Sequence, residues 1–123
     1  MNRLTFAAAL ATLALAAPAL AAPPAPPAPP PSFARCAVCH NATKGAGPKI
    51  GPDLWGVYGS KAASQKFAYS QALKAAKLKW DAETLDKWIS GPMTMVPGTM
   101  MSFPGLKDQA KRAEIIAYLK QLH

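Results

Sequence analysis

The apolar residues of this chain fall into blocks of different character. Leu4 to Ala17 is an unbroken uncharged run behind Met1-Asn2-Arg3. Beyond residue 31 the apolar positions repeat at helical intervals, but only over short stretches. Leu85, Trp88 and Ile89 stand at i, i+3 and i+4, and Ile115, Ile116, Leu119 and Leu122 form one stripe near the C-terminus. Residues suited to open a helix precede each stretch. Ser32 is a plausible N-cap for a short helix over Phe33 to Cys39, and Ser70 for one through about Ala76. Asp81 is placed to cap the third helix and Asp108 the last. Gly91-Pro92 closes the third, and Lys120 lies near the C-terminal end of the last, as the helix dipole prefers.

Between these stretches the chain reads as loop. Asn41 to Ser60 carries Gly45, Gly47, Gly51, Gly56 and Gly59 with Pro48 and Pro52. Met93 to Gly105 is a second loop, with turns at Pro97-Gly98 and Pro104-Gly105. Neither strand alternation nor an internal repeat is visible. The expected fold class is all-α, a few short helices wrapped by loops. Loops make up roughly half of such a domain, more than compact domains usually carry without a reason. The apolar stripes are too few for a self-sufficient core, so something else is expected at the centre.

Composition narrows the class. With 123 residues there is room for one domain, and the hydrophobic half of the composition is inflated by the first 22 residues. A multidomain enzyme, a polytopic membrane protein and a multi-disulfide scaffold are excluded. One positive charge, an apolar run and Ala19-Leu20-Ala21 have the form of a secretory signal peptide over residues 1–21, with cleavage expected after Ala21. A retained anchor is the alternative; the run is near the lower length limit for a span and rich in weakly hydrophobic alanine. Export follows from either reading. Residues 22–31 form an arm, with seven prolines between Pro23 and Pro31. A run so poor in backbone donors favours extended polyproline II and acts as a stiff spacer. The folded domain is expected over residues 32–123.

The chemistry lies in Cys36-Ala37-Val38-Cys39-His40. C-x-x-C-H is the attachment pattern of c-type haem. Thiols three residues apart share one face of a helical turn, where they can form thioethers to two vinyl groups on one porphyrin edge. His40 then follows as a fixed axial ligand. A thioredoxin-like dithiol needs a βαβ setting, and a zinc site needs further ligands. The other histidine, His123, stands at the chain end. A Cys36–Cys39 disulfide would close too small a loop to stabilise much. On the far side of the iron the candidates are Met93, Met95, Met100 and Met101, clustered in a Pro/Gly-rich loop. Spacing leaves the choice among them open.

The order of the motifs then resembles the class I c-type cytochromes, most closely mitochondrial cytochrome c and its bacterial relatives. The resemblance runs from Phe33 to Leu122. It rests on the Cys36–His40 motif, Gly51-Pro52-Asp53-Leu54-x-Gly56, Phe67-x-Tyr69-Ser70, Trp80, Pro97-Gly98-Thr99-x-Met101-x-Phe103 and Ile115-Ile116-Ala117-Tyr118-Leu119-Lys120. It implies the small cytochrome c fold around one covalently bound haem c, with His40 and Met101 as the iron ligands. Met100 is the neighbouring alternative, one residue out of register. It also implies that the Pro52 carbonyl accepts from the His40 ring, which makes the imidazole a better ligand. Tyr69 and Trp80 match residues that hold a haem propionate, and Leu54, Phe103, Ile115 and Leu119 would line the pocket.

The chain departs from the mitochondrial pattern in four ways. The N-terminal helix is cut to little more than one turn by the proline run. Trp88 replaces a tyrosine that donates to the methionine sulfur, and Ser60 an arginine near a propionate. Met93, Thr94 and Met100 stand where lysines often surround the haem edge.

The function implied is that of an exported single-haem electron carrier in the periplasm, cycling between ferric and ferrous states. An electron-transfer subunit of a larger periplasmic oxidoreductase is the first alternative. A haem sensor or peroxidase-like protein with a labile distal ligand is the second. Arg3 is the leader's only charge, so the remainder keeps 13 basic against 6 acidic side chains. Such a surplus steers toward acidic surfaces. Lys107 and Arg35 stay near the rim, while Lys74, Lys77 and Lys79 cluster elsewhere. The expected partners are redox proteins with an apolar centre and an acidic rim, met by a monomer. No nucleic-acid motif accompanies the charge, and no membrane span is expected once the leader is cleaved.

Overall fold

The computed structural model of the chain describes residues 13–123. The expected leader falls largely on residues 1–12, which lie outside the described residues. Residues 13–30 carry no regular secondary structure and are mostly exposed. Pro30, at the end of the arm, has polyproline II angles (φ −67°, ψ 153°). No helix among the described residues is long and apolar enough to cross a membrane.

The domain begins with a 3₁₀ turn, Pro31–Phe33, that runs directly into α1, Ala34–Ala37. Ser32 does not cap it. Pro30 holds that position without a side-chain bond, and Ser32 sits inside the turn. The reason is the proline run: Pro31 has its φ preset for a helix start and needs no donor there, so the turn opens two residues earlier. Ser32 instead donates to Glu114 across the fold at 3.5 Å.

The other three caps form as the sequence predicts. Ser70 Oγ accepts from the Leu73 N–H at 3.1 Å and opens α2, Gln71–Ala76. Asp81 accepts from the Thr84 N–H at 2.8 Å and opens α3, Ala82–Ser90. Asp108 accepts from the Lys111 N–H at 3.2 Å and opens α5, Gln109–Lys120. The loop expected from Met93 begins instead with a helical turn, α4, Pro92–Met95, which takes up Met93 to Met95. Pro92 ends α3 and, for the same reason as Pro31, starts the next turn.

Among the described residues there is no strand, only an isolated antiparallel bridge between Lys61 and Lys79. The architecture is thus the expected all-α one. α3 lies against α5, and the N-terminal turn also lies against α5. Short as that turn is, it keeps its anchor. Phe33 is buried and meets Tyr118 edge-on, with ring centroids 4.8 Å apart. Leu85, Trp88 and Ile89 of α3 bury with Ile115 and Leu119 of α5 and with Leu122 beyond it. Ile116 of the expected stripe is only partly buried. Arg112 takes an inward place instead, donating to Asp86 at 2.7 Å and to the Leu106 and Lys107 carbonyls at 2.9 and 3.0 Å. It ties α5 to α3 and to the loop between α4 and α5.

Candidate functional site

The Cys36–His40 segment continues α1 by one turn. The N–H groups of Cys39 and His40 both donate to the Cys36 carbonyl, at 3.1 and 2.9 Å. This brings the two half-buried cysteines to one side of the turn as free thiols. Burial, helped by the charge of Cys39, pushes the Cys36 thiol up to about 11. It therefore stays protonated at neutral pH, and a thiol is a far weaker nucleophile toward disulfides than a thiolate.

His40 is fixed from three directions. Its Nδ1–H donates to the Pro52 carbonyl at 2.7 Å, which leaves the Nε2 lone pair free. The Gly51 N–H donates to the Cys39 carbonyl at 2.8 Å, holding the two segments together. Gly51 itself passes so close to the ring that a Cβ there would overlap it. Burial lowers the imidazole's proton affinity, and the Pro52 bond and the Asp53 charge partly restore it. A neutral, oriented imidazole with one open nitrogen is the form that ligates a metal.

A cavity of about 730 Å³ opens beside this turn. Cys36, Cys39, His40 and Pro52 lie on its wall. So do Leu54, Tyr69 and Trp80, and from the loop after α4, Met101 and Phe103. All the residues that the resemblance assigns to the haem site line this one space, with Ile115 and Leu119 of α5 closing it. Met100 also reaches the wall, but it is 62 % exposed, whereas Met101 is partly buried against the core. Met93 and Met95 are not on it. Trp80 and Trp88 meet on the wall with centroids 5.2 Å apart, so Trp88 shares the pocket with Met101. Ser60 lines the cavity too, its hydroxyl donating to the Val57 carbonyl at 2.7 Å.

The residues fit a covalently held haem. The space lies in the range of buried ligand sites and is lined mainly by apolar side chains. Two thiols and an oriented imidazole sit on its wall, with a thioether available to the same space. Two further residues belong to the site. Asp53 is buried although charged, and Gln65 on the cavity wall bonds Asp53 through its side chain. Gln65 also donates its backbone N–H to Tyr69 Oη at 3.3 Å. Asp53 is visible in the sequence as part of a motif, but nothing there marks it as buried. Gln65 carries no sequence signal at all.

Fold and site together define a small domain built around a thioether-linked haem. The family model described as cytochrome c matches residues 32–123. A cytochrome c2 of Rhodomicrobium vannielii is 46 % identical over 92 residues, covering 74 % of each chain. A cytochrome c2 of Rhodoblastus acidophilus is 47 % identical over 90 residues, covering 72 % of this chain and 84 % of that one. Among solved structures, cytochrome cH from Methylobacterium extorquens matches with a TM-score of 0.68 at 45 % identity, over 72 % of this chain and 90 % of that one. The chain belongs to the cytochrome c family. It is a haem electron-transfer protein with covalently bound haem c, a carrier that works with redox partners.

Proposed function

We propose that the chain is an exported, monomeric, single-haem carrier with His40 and Met101 as the axial ligands. The observation that carries this reading is the 2.7 Å bond from His40 Nδ1 to the Pro52 carbonyl beside a cavity that Met101 also lines. Haem supplies an iron that gains and loses one electron without a change in bonding to substrate. The chain's part is to hold that iron and to exclude water from it. Cys36 and Cys39 would hold the haem through thioethers to its two vinyl groups, each thiol hydrogen going to the other vinyl carbon. His40 Nε2 and the Met101 thioether would both hold the iron, leaving no open position for a substrate. Tyr69 Oη already accepts from Gln65, so its own hydrogen is free to be donated into the cavity, to a propionate. Leu54, Phe103, Ile115 and Leu119 keep the surroundings apolar, which disfavours the extra positive charge of the ferric state and raises the potential.

Electrons pass at the cavity mouth. Val38, Ile50 and Met100 line it and are 66, 75 and 62 % exposed, with Arg35 beside them. An exposed apolar cluster with a basic neighbour suits a redox partner with an apolar centre and an acidic rim. Export rests on the leader and the arm. Recovery of the chain from the periplasm with Ala22 as its first residue is the expected outcome; a mature protein that retains Met1 supports the anchored form instead. The extended arm of residues 22–31 also suits attachment to a larger oxidoreductase, which co-purification would reveal.

The deciding experiment is optical. Ferric protein is expected to be low-spin with the weak long-wavelength band of a sulfur–iron bond. That band is lost in Met101→Ala and kept in Met100→Ala. A high-spin ferric spectrum in the unaltered protein overturns the closed carrier and favours a sensor or peroxidase-like role.

A further inference from the structure

Asp53 follows Pro52 directly, so its carboxylate hangs from the stretch of backbone that accepts from His40. The residue is only 7 % exposed. One carboxylate oxygen accepts from the Trp55 N–H at 2.9 Å and the other from the Gly47 N–H at 3.2 Å. The Asp53 carbonyl accepts from Gln65 Nε2 at 2.7 Å. The loop it closes is held from the other side as well. Asn41 Nδ2 donates to the Gly47 carbonyl at 3.0 Å, and the Leu54 N–H to the Asn41 carbonyl at 2.8 Å. Among the described residues, none of the ion pairs includes Asp53. Its hydrogen bonds come from backbone N–H groups, which satisfy the oxygens but carry no net charge to offset the carboxylate.

We infer that Asp53 is a positioning residue that holds the Pro52 carbonyl against His40 and keeps a fixed negative charge behind that imidazole, which lowers the reduction potential of the bound haem. The inference rests on the ligand role proposed for His40. Reduction adds one electron, and no bond forms or breaks. The oxidised state carries one more positive charge than the reduced one, so a nearby anion favours the oxidised state. Burial makes the effect larger than an exposed carboxylate would give, because water and salt screen it less. The two actions reinforce each other. A well-aligned Pro52 carbonyl draws on the Nδ1–H and makes Nε2 a stronger donor, which also favours the oxidised iron. Asp53 thus opposes the apolar walls, which raise the potential. The sequence offers no means of seeing this, because an aspartate in a glycine-rich loop reads as an exposed turn residue.

The test is a redox titration of haem-loaded D53N, D53S and D53E beside the unaltered protein, each checked first for a low-spin ferric spectrum. D53N and D53S remove the charge. The expected result is a higher potential in both, of the order of tenfold in the equilibrium constant, which is 59 mV for a one-electron couple. D53E keeps the charge and is expected to stay near the unaltered value. Amide exchange at Gly47 and Trp55 reads the pinning separately, and it is expected to quicken in D53S. Unchanged potentials in D53N and D53S with intact low-spin spectra overturn the electrostatic role. A shift in D53E as large as that in D53N assigns the effect to loop geometry and overturns it as well. Loss of haem from both D53N and D53S reduces Asp53 to a purely structural role. A high-spin spectrum in the unaltered protein strikes at the ligand assignment instead, so the two failures are distinguishable.

Discussion

At the scale of single residues, the His40 ring leaves no slack on its Gly51 side. A Cβ at Gly51 would overlap the imidazole, although the backbone there is ordinary for any residue. Gly51→Ala is therefore expected to displace the ring and break the Pro52 bond. The cost is about 1–3 kcal/mol, typical of overpacking, seen as a lower midpoint in thermal unfolding and a weakened low-spin spectrum. Gly105 is constrained differently. Its φ is +94°, and an added Cβ would meet the Ser90 carbonyl, so Gly105→Ala suffers both backbone strain and a clash with backbone. It is expected to destabilise more than Gly51→Ala in the same melt. The haem-binding cysteines and His40 are legible in sequence because the chemistry demands residues that are neighbours along the chain. Spacing does not choose between Met100 and Met101, because each is separated from His40 by some sixty residues of chain whose path it does not give; only the family register points to Met101.

At the scale of elements, the capping residues carry testable weight. Ser70→Ala removes the bond to the Leu73 N–H and is expected to cost about 1 kcal/mol, measured by denaturant unfolding. Asp81 gives a pH-dependent counterpart. Hydrogen bonds from Thr84 hold its carboxyl below the ordinary carboxylate value in the folded protein. A depressed folded value means that the carboxylate stabilises fully above the unfolded value of about 3.9, and that this is lost as pH falls through the lower folded value. The difference in Tm between the unaltered protein and Asp81→Ala is thus expected to persist from neutral pH to about 5 and to shrink below about 4. Ser32 shows the limit of such reading. It has the right residue type for a cap, but the prolines before it start the turn earlier. Arg112 shows another limit. Its partners, Asp86 and two carbonyls, arrive from other parts of the chain, so a surface-type residue in the sequence becomes a tie inside the fold. Replacing it with Ala is expected to cost about 1.5–3 kcal/mol, the range for hydrogen bonds to charged groups.

At the scale of the whole molecule, the cavity is the centre of the fold. Without haem, an apolar space of about 730 Å³ leaves the core side chains around it without packing partners and open to water. The chain without haem is therefore expected to lose fixed tertiary packing. The Cys36→Ala/Cys39→Ala double variant, prepared free of haem, checks this by near-ultraviolet circular dichroism, and a native-like signal would contradict it. The sequence by itself determined the helix starts at Ser70, Asp81 and Asp108, the haem-attachment turn and the shortage of apolar side chains that calls for a prosthetic group. These follow from local hydrogen bonding and from composition, which travel with the chain. Only the tertiary structure decided that Met101 is half-buried where Met100 is exposed, that Gly51 crowds His40, that Gln65 ties Asp53 to Tyr69 and that Arg112 turns inward. Each of these depends on segments far apart in sequence meeting in space, and residue type and spacing do not fix which distant segments meet.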